Sequence, residues 1–133
     1  MRGVKVNTID VKSDERGWLA EIIRQEELVR TKEFGQFMVT TAYPSCVKGN
    51  HYHIRKFEWF CVLKGEARLV LVDNQSGEQE ELILSEHQLK IVRIPPQISH
   101  AIENVGTEMV YVLIYTDEPY DEEDPDTFYK KIV

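Results

Sequence analysis

Gly49-Asn50-His51-Tyr52-His53-Ile54-Arg55-Lys56-Phe57-Glu58, closed by Gly65, gathers three side chains able to bind a metal or move a proton into eight residues. Two of the chain's four histidines stand one residue apart. In an extended segment, period-two geometry sends His51 and His53 to one face and Tyr52 to the other. Glu58 opens a second run, through Leu63, whose aromatic and β-branched content favours a strand. Two adjacent strands can then aim three ligands at one point. Farther on, the run from Ile94 to Asn104 puts His100, Ile102 and Asn104 on a shared face. Imidazole nitrogens with one carboxylate suit zinc, iron, nickel or manganese, with room left for water or substrate. A lone strand histidine is ordinarily a hydrogen-bonded core residue. The joint spacing of His51, His53, Glu58 and His100 points instead to a polar functional site.

Strands must position these residues, and the rest of the chain supplies them. Val4 to Val11 alternates as an edge strand. Asp14-Glu15-Arg16-Gly17 is turn chemistry leading into a strand through Ile23. Gln25 to Lys32 is the one helical candidate, short and with few apolar residues. Phe34 to Tyr43 sets Phe37, Val39 and Thr41 opposite Met38, Thr40 and Ala42. Ala67 to Asp73 and Glu80 to Leu84 flank the hairpin signal Asn74-Gln75-Ser76-Gly77. Leu89 to Ile94 is stopped by Pro95-Pro96, Met109 to Tyr115 forms a late strand, and His87 falls in a surface connection. Many short strands with hardly any helix indicate an all-β sandwich or barrel.

With 133 residues and 42% hydrophobic content, the expectation is a single domain spanning 1-133, ending in an acidic segment from about 117. By composition alone that segment reads as a solvated tail. The formal charge of -7 argues against a nucleic-acid or membrane surface. Without a leader or an apolar run of membrane length, the expected location is the cytoplasm. Cys46 and Cys61 form no CxxC pair and read as free thiols.

The sequence resembles the cupin superfamily. Gly49, His51, His53, Glu58 and Gly65 match its first motif, while Pro95, His100 and Asn104 match its second, which usually has glycine where Gln97 stands. The resemblance implies a jelly-roll β-barrel. Asp14-Glu15-Arg16-Gly17-Trp18-Leu19-Ala20-Glu21 is similar to a segment of the dTDP-4-dehydrorhamnose 3,5-epimerase group, which implies that Arg16 and Glu21 bind the nucleotide diphosphate and that Lys48 touches substrate. A planar guanidinium suits phosphate oxygens. The Lys48-to-His53 start and the Tyr120-Asp121…Pro125-Asp126-Thr127 ending resemble the CapF-type C-terminal cupin domains of capsular polysaccharide proteins.

These groups epimerise a 4-keto-6-deoxy nucleotide sugar or move its ketone, in either case through an enolate. An enolate requires a base at the carbon and positive charge or a proton donor at the ketone oxygen. The resemblance implies a divalent ion, zinc first, on His51, His53, Glu58 and His100. In metal-free epimerases the residue matching His51 is itself the base, and a nitrogen bound to metal cannot also take a proton. Lys48, Tyr52, Tyr111 and Tyr115 are the other base candidates. The alternatives are a sugar 3,4-ketoisomerase, a non-catalytic sugar-binding module and an iron dioxygenase. Expected partners are a nucleotide-diphosphate sugar, a second copy in a homodimer that shields the N-terminal edge strand, and a separate reductase acting on the product.

Overall fold

In the computed structural model, residues 1–28 and 34–133 are described. Among these described residues, alternating apolar residues produce twelve strands: β1 (Lys5–Thr8), β2 (Val11–Asp14), β3 (Gly17–Ala20), β4 (Gln36–Ala42), β5 (Val47–Tyr52), β6 (Glu58–Lys64), β7 (Glu66–Asp73), β8 (Gln79–Ser85), β9 (Lys90–Ile94), β10 (Ile98–Asn104), β11 (Val110–Thr116) and β12 (Phe128–Tyr129). One antiparallel sheet has the order β1-β9-β6-β11-β4, the other β12-β5-β10-β7-β8, and β2-β3 forms a small hairpin of its own. The expected jelly roll is the fold.

Period two decides what lies between the sheets. From β6 and β11 the inward set is Phe60, Val62, Val110, Val112 and Ile114; from β7 and β10 it is Ala67, Leu69, Leu71, Ile98 and Ile102. Each fully buried leucine or isoleucine contributes about 1.5–3 kcal/mol. The alternate residues Trp59, Cys61 and Tyr115 form a second cluster on the outer face of the first sheet, covered by Ile9, Ala20, Ile22, Ile23 and Leu28. Burial there pushes the Cys61 thiol up to about 11, and the cysteines are unpaired.

Several boundaries differ from the sequence expectation. The N-terminal alternation breaks after Thr8, so β1 is an edge strand against β9 while Val11 begins the separate hairpin. The strand after Gly17 stops at Ala20. The helical candidate contains a single 3-10 turn, Gln25–Glu27, capped by Leu28; its remainder, 29–32, lies outside the described residues. The β7–β8 hairpin forms as expected, with Gly77 at φ 78° and the Asp73 carboxylate accepting from the Gln75 N–H at 2.8 Å. His87 is exposed. Among the described residues, no helix is long and apolar enough to cross a membrane.

The acidic end is not a free tail. Its β12 pairs with β5, Phe128 opposite Tyr52 and Tyr129 opposite His51. The Asn50 side-chain oxygen accepts from the N–H groups of Ile132 and Val133. Composition missed this because the carboxylates that look solvated are partly used as hydrogen-bond acceptors for the β5–β6 loop.

Candidate metal and substrate site

The second sheet brings the histidines and the first brings the acid. His51 sits on β5 opposite His100 on β10, and His53 follows the end of β5. Glu58 is the first residue of β6. A bulge puts these rings together: the register jumps from Gly49 opposite Ala101 to His51 opposite His100, leaving Asn50 unpaired at φ 56°. Gly49 lies at φ 93°, and a Cβ there would come within 2.9 Å of the His100 carbonyl oxygen. Only glycine lets β5 approach β10 this closely.

One ligand atom from each of His51, His53, Glu58 and His100 falls within 4.8 Å of the others. The Glu58 carboxylate oxygen Oε2 is 2.9 Å from His100 Nε2 and 3.2 Å from His53 Nε2, and all three groups are almost wholly buried. The second ring nitrogens fix the tautomers. His53 Nδ1–H donates to the Asp126 carbonyl oxygen at 2.6 Å, and His100 Nδ1–H donates to the Ile98 carbonyl oxygen at 3.0 Å. A carbonyl only accepts, so each neutral ring turns a bare Nε2 lone pair toward Glu58. Although close, the three atoms lack hydrogen-bond geometry with one another: His53 Nε2, His100 Nε2 and Glu58 Oε2 are buried without a hydrogen-bond partner.

Three acceptors facing one another repel unless positive charge stands among them. Burying a carboxylate costs several kcal/mol, which neighbouring lone pairs do not offset. Burial pushes the Glu58 pKa up, and only with His100 and His53 protonated and donating is it held well below the usual carboxylate range. Protons on both Nε2 atoms would supply that charge, and so would a metal cation. Two imidazoles and a carboxylate with carbonyl-bonded outer nitrogens form a suitable donor set for zinc. His51, half-buried with its ring edge-on to His100 at 4.7 Å, completes a fourth position. Desolvation pulls its pKa down to about 4, so it too offers a neutral lone pair.

A cavity of about 310 Å³ opens onto this cluster. Met38, Phe60, Ile102 and Ile114 make it largely apolar, with Lys48, Thr40, His51, Glu58 and His100 as its polar groups. Lys48 Nζ donates to Thr40 Oγ1 at 3.0 Å. The sequence candidates therefore divide. His51, Glu58, His100 and Lys48 line one space, with His53 behind Glu58. Tyr115 is on the outer face of β11, where its hydroxyl accepts from the Gly35 N–H at 3.1 Å. Tyr111 is 40% exposed, and Tyr52 stacks on Phe128. Arg16, on the β2–β3 hairpin, pairs with Asp14 at 2.7 Å, and Glu21 pairs with Arg24; neither lines the cavity within one chain. Asn104 ties Ala42 to Glu108 through its amide nitrogen and has a structural role. Sequence reasoning missed Asp126, whose only signal was the Pro125-Asp126-Thr127 ending.

A family model described as the polysaccharide biosynthesis C-terminal domain matches residues 12–128. The chain is 35% identical over 120 residues to UDP-2-acetamido-2,6-beta-L-arabino-hexul-4-ose reductase of Pseudomonas aeruginosa, covering 90% of this chain but 31% of that protein. It is 29% identical over 131 residues to the probable low-salt glycan biosynthesis epimerase Agl13 of Haloferax volcanii, covering 92% and 83%. CapF from Staphylococcus aureus, a capsular polysaccharide assembling protein, superimposes with a TM-score of 0.73 at 29% identity, covering 93% of this chain and 34% of CapF. The chain thus spans about a third of the length of the reductase and of CapF. A dTDP sugar isomerase from Desulfovibrio desulfuricans G20 shares the fold, with a TM-score of 0.87 at 20% identity over 98% of this chain and 85% of that one. The histidine-bearing jelly roll and the match across nearly the whole chain agree: the chain is a cupin, and it belongs to the polysaccharide biosynthesis C-terminal domain family.

Proposed function

We propose that the chain is a sugar-nucleotide epimerase of cell-surface polysaccharide biosynthesis, acting on a nucleotide-linked 4-keto-6-deoxy sugar through an enolate. The observation that carries this reading is the convergence of His51, Glu58 and His100, with His53 beside Glu58, on a cavity whose remaining walls are largely apolar. The glycan epimerase from Haloferax and the sugar-nucleotide reductase from Pseudomonas support the substrate class.

Removing the proton beside a ketone leaves negative charge on its oxygen. A zinc ion on His51, His53, Glu58 and His100 would supply fixed positive charge there, worth several kcal/mol. The chain's own groups do the rest. Met38, Phe60, Ile102 and Ile114 form a dry wall suited to a deoxy methyl group and strengthen electrostatics inside the cavity. Lys48, steadied by Thr40, is the proton-transfer group that lines the cavity together with the ligand set, and such a group contributes about 10²–10⁴-fold. His51 takes that role if the enzyme works without metal. Tyr115, committed to Gly35 on the far face, takes none.

Because Arg16 and Glu21 lie away from this cavity, they reach a diphosphate from the second copy of a homodimer. A separate reductase acting on the product is the expected partner, since this chain matches 31% of a protein named as a reductase. The test is incubation with nucleotide-linked 4-keto sugars in deuterated water, followed by NMR. Deuterium entering at C3 with inversion supports epimerisation; ketone migration to C3 replaces it with a 3,4-ketoisomerase. A panel of substrates that bind without exchange leaves a binding module and overturns the enzyme reading.

A further inference from the structure

Asp126 is 3% exposed and lies at φ 49°, in the left-handed region. Its carboxylate accepts three successive backbone N–H groups: Ile54 at 2.9 Å on one oxygen, then Arg55 at 2.9 Å and Lys56 at 3.1 Å on the other. Its own carbonyl oxygen accepts the His53 Nδ1–H at 2.6 Å. One residue therefore grips both the His53 ring and the loop that runs from His53 to Glu58. The preceding Pro125 carbonyl accepts from Lys56 Nζ at 3.3 Å, tying the same loop a further time.

We propose that Asp126 is a positioning residue: through its backbone carbonyl, anchored by its side chain, it locks His53 in the tautomer that presents a bare Nε2 beside Glu58. This deepens the proposed function, because it rests on His53 serving as a metal ligand. Neutral imidazole interconverts between two tautomers, and only the Nδ1–H form leaves Nε2 free for a cation. An acceptor at Nδ1 is the usual device that fixes a ligating histidine, and losing such a partner typically costs about 10–100-fold in metal affinity. Here the acceptor is delivered from residues 117–133, the far end of the chain, so the metal centre depends on the C-terminal strap being docked.

The experiment uses the full chain with histidine-¹⁵N labelling. In chelator-treated protein near neutral pH, the two-bond ¹H–¹⁵N correlation of His53, assigned with His53→Gln, is expected to show the proton on Nδ1. Asp126→Ala is expected to give a mixture of tautomers and a Co²⁺ affinity about 10–100-fold weaker. Asp126→Asn keeps one oxygen for the three amides and tolerates the left-handed backbone, so it should recover part of both losses. Asp124→Asn, in the same strap but exposed, should change neither. A wild-type His53 protonated on Nε2 overturns the proposal. So does an Asp126→Ala protein that melts lower yet keeps tautomer and affinity, since that is mere anchoring. If the Ala variant does not fold, the wild-type tautomer and the Asn variant decide. Failure of wild type to bind Co²⁺ sinks the metal reading, while the tautomer measurement still decides the role of Asp126.

Discussion

Glu58 shows how much one residue can reveal about a site. Its Oε2 stands 2.9 Å and 3.2 Å from two Nε2 atoms whose tautomers are set elsewhere. Without a cation this arrangement is a cost carried by the fold, and with one it is a binding site. Glu58→Gln separates the two. The amide nitrogen can donate to the bare lone pairs, satisfying groups whose orphaning costs about 1–3 kcal/mol. In chelator, urea unfolding should therefore show the variant more stable than wild type by about that amount, while Co²⁺ binding disappears. A variant less stable than wild type in chelator would mean that both imidazoles carry protons and already pair with the carboxylate.

At the scale of elements, the turn before β10 is where the chain departs from the motif it resembles. Gln97 adopts φ 68°, the conformation that the family's usual glycine accepts without strain, and the fold pays for it in this one place. The turn is kept because its backbone is bonded on both sides: the Gln97 N–H donates to the His53 carbonyl at 2.8 Å, and its carbonyl accepts from Asn74 at 3.0 Å. Left-handed backbone costs a non-glycine residue about 1–2 kcal/mol, while glycine loses about 0.4–1 kcal/mol through its freer unfolded chain. Gln97→Gly should thus raise stability by about 0.5–1 kcal/mol in denaturant titrations, with the His100 ring undisturbed. Unchanged or lower stability would show that the Gln97 side chain contributes more than its backbone costs.

This same region shows what could be read beforehand. The strand from Glu58 and the shared face of His100 and Ile102 were legible, because a buried sheet face imposes period two directly on the sequence. The bulge at Asn50 and the grip of Asp126 on three amides were not legible. Both depend on backbone groups, which every residue has, and on partners about fifty positions away for the bulge and about seventy for Asp126. The hairpin carrying Arg16 was legible as a turn, but its separation from the barrel was not, since local pattern says nothing of where a two-stranded ribbon docks.

For the whole molecule, the first sheet has an unfinished outer face. Toward β1 and β9 that face is covered by Ile9, Ile22, Ile23 and Leu28 packed on Trp59 and Ile91. Toward the β4 edge, among the described residues, the cover gives out: Phe37 is 52% exposed, Val39 59% and Tyr43 69%, at the end strand of the sheet. The β2–β3 hairpin likewise presents Trp18 at 58% and Leu19 at 59%. An apolar edge strand with no charge on its outer row is a pairing surface, and under the proposed function a second copy of the same chain is the occupant that would also bring Arg16 and Glu21 to a cavity they do not reach alone. Sedimentation velocity should accordingly give a dimer. Val39→Lys places a charge on the outward row without touching the cavity-facing Met38 and Thr40, so it should shift the protein toward monomer while the Co²⁺ affinity of each chain is retained. If the nucleotide contacts come from the partner, as proposed, the same variant should lose affinity for nucleoside diphosphate in step with dimer dissociation. Monomers that bind the diphosphate as tightly as wild type would place Arg16 and Glu21 outside the site.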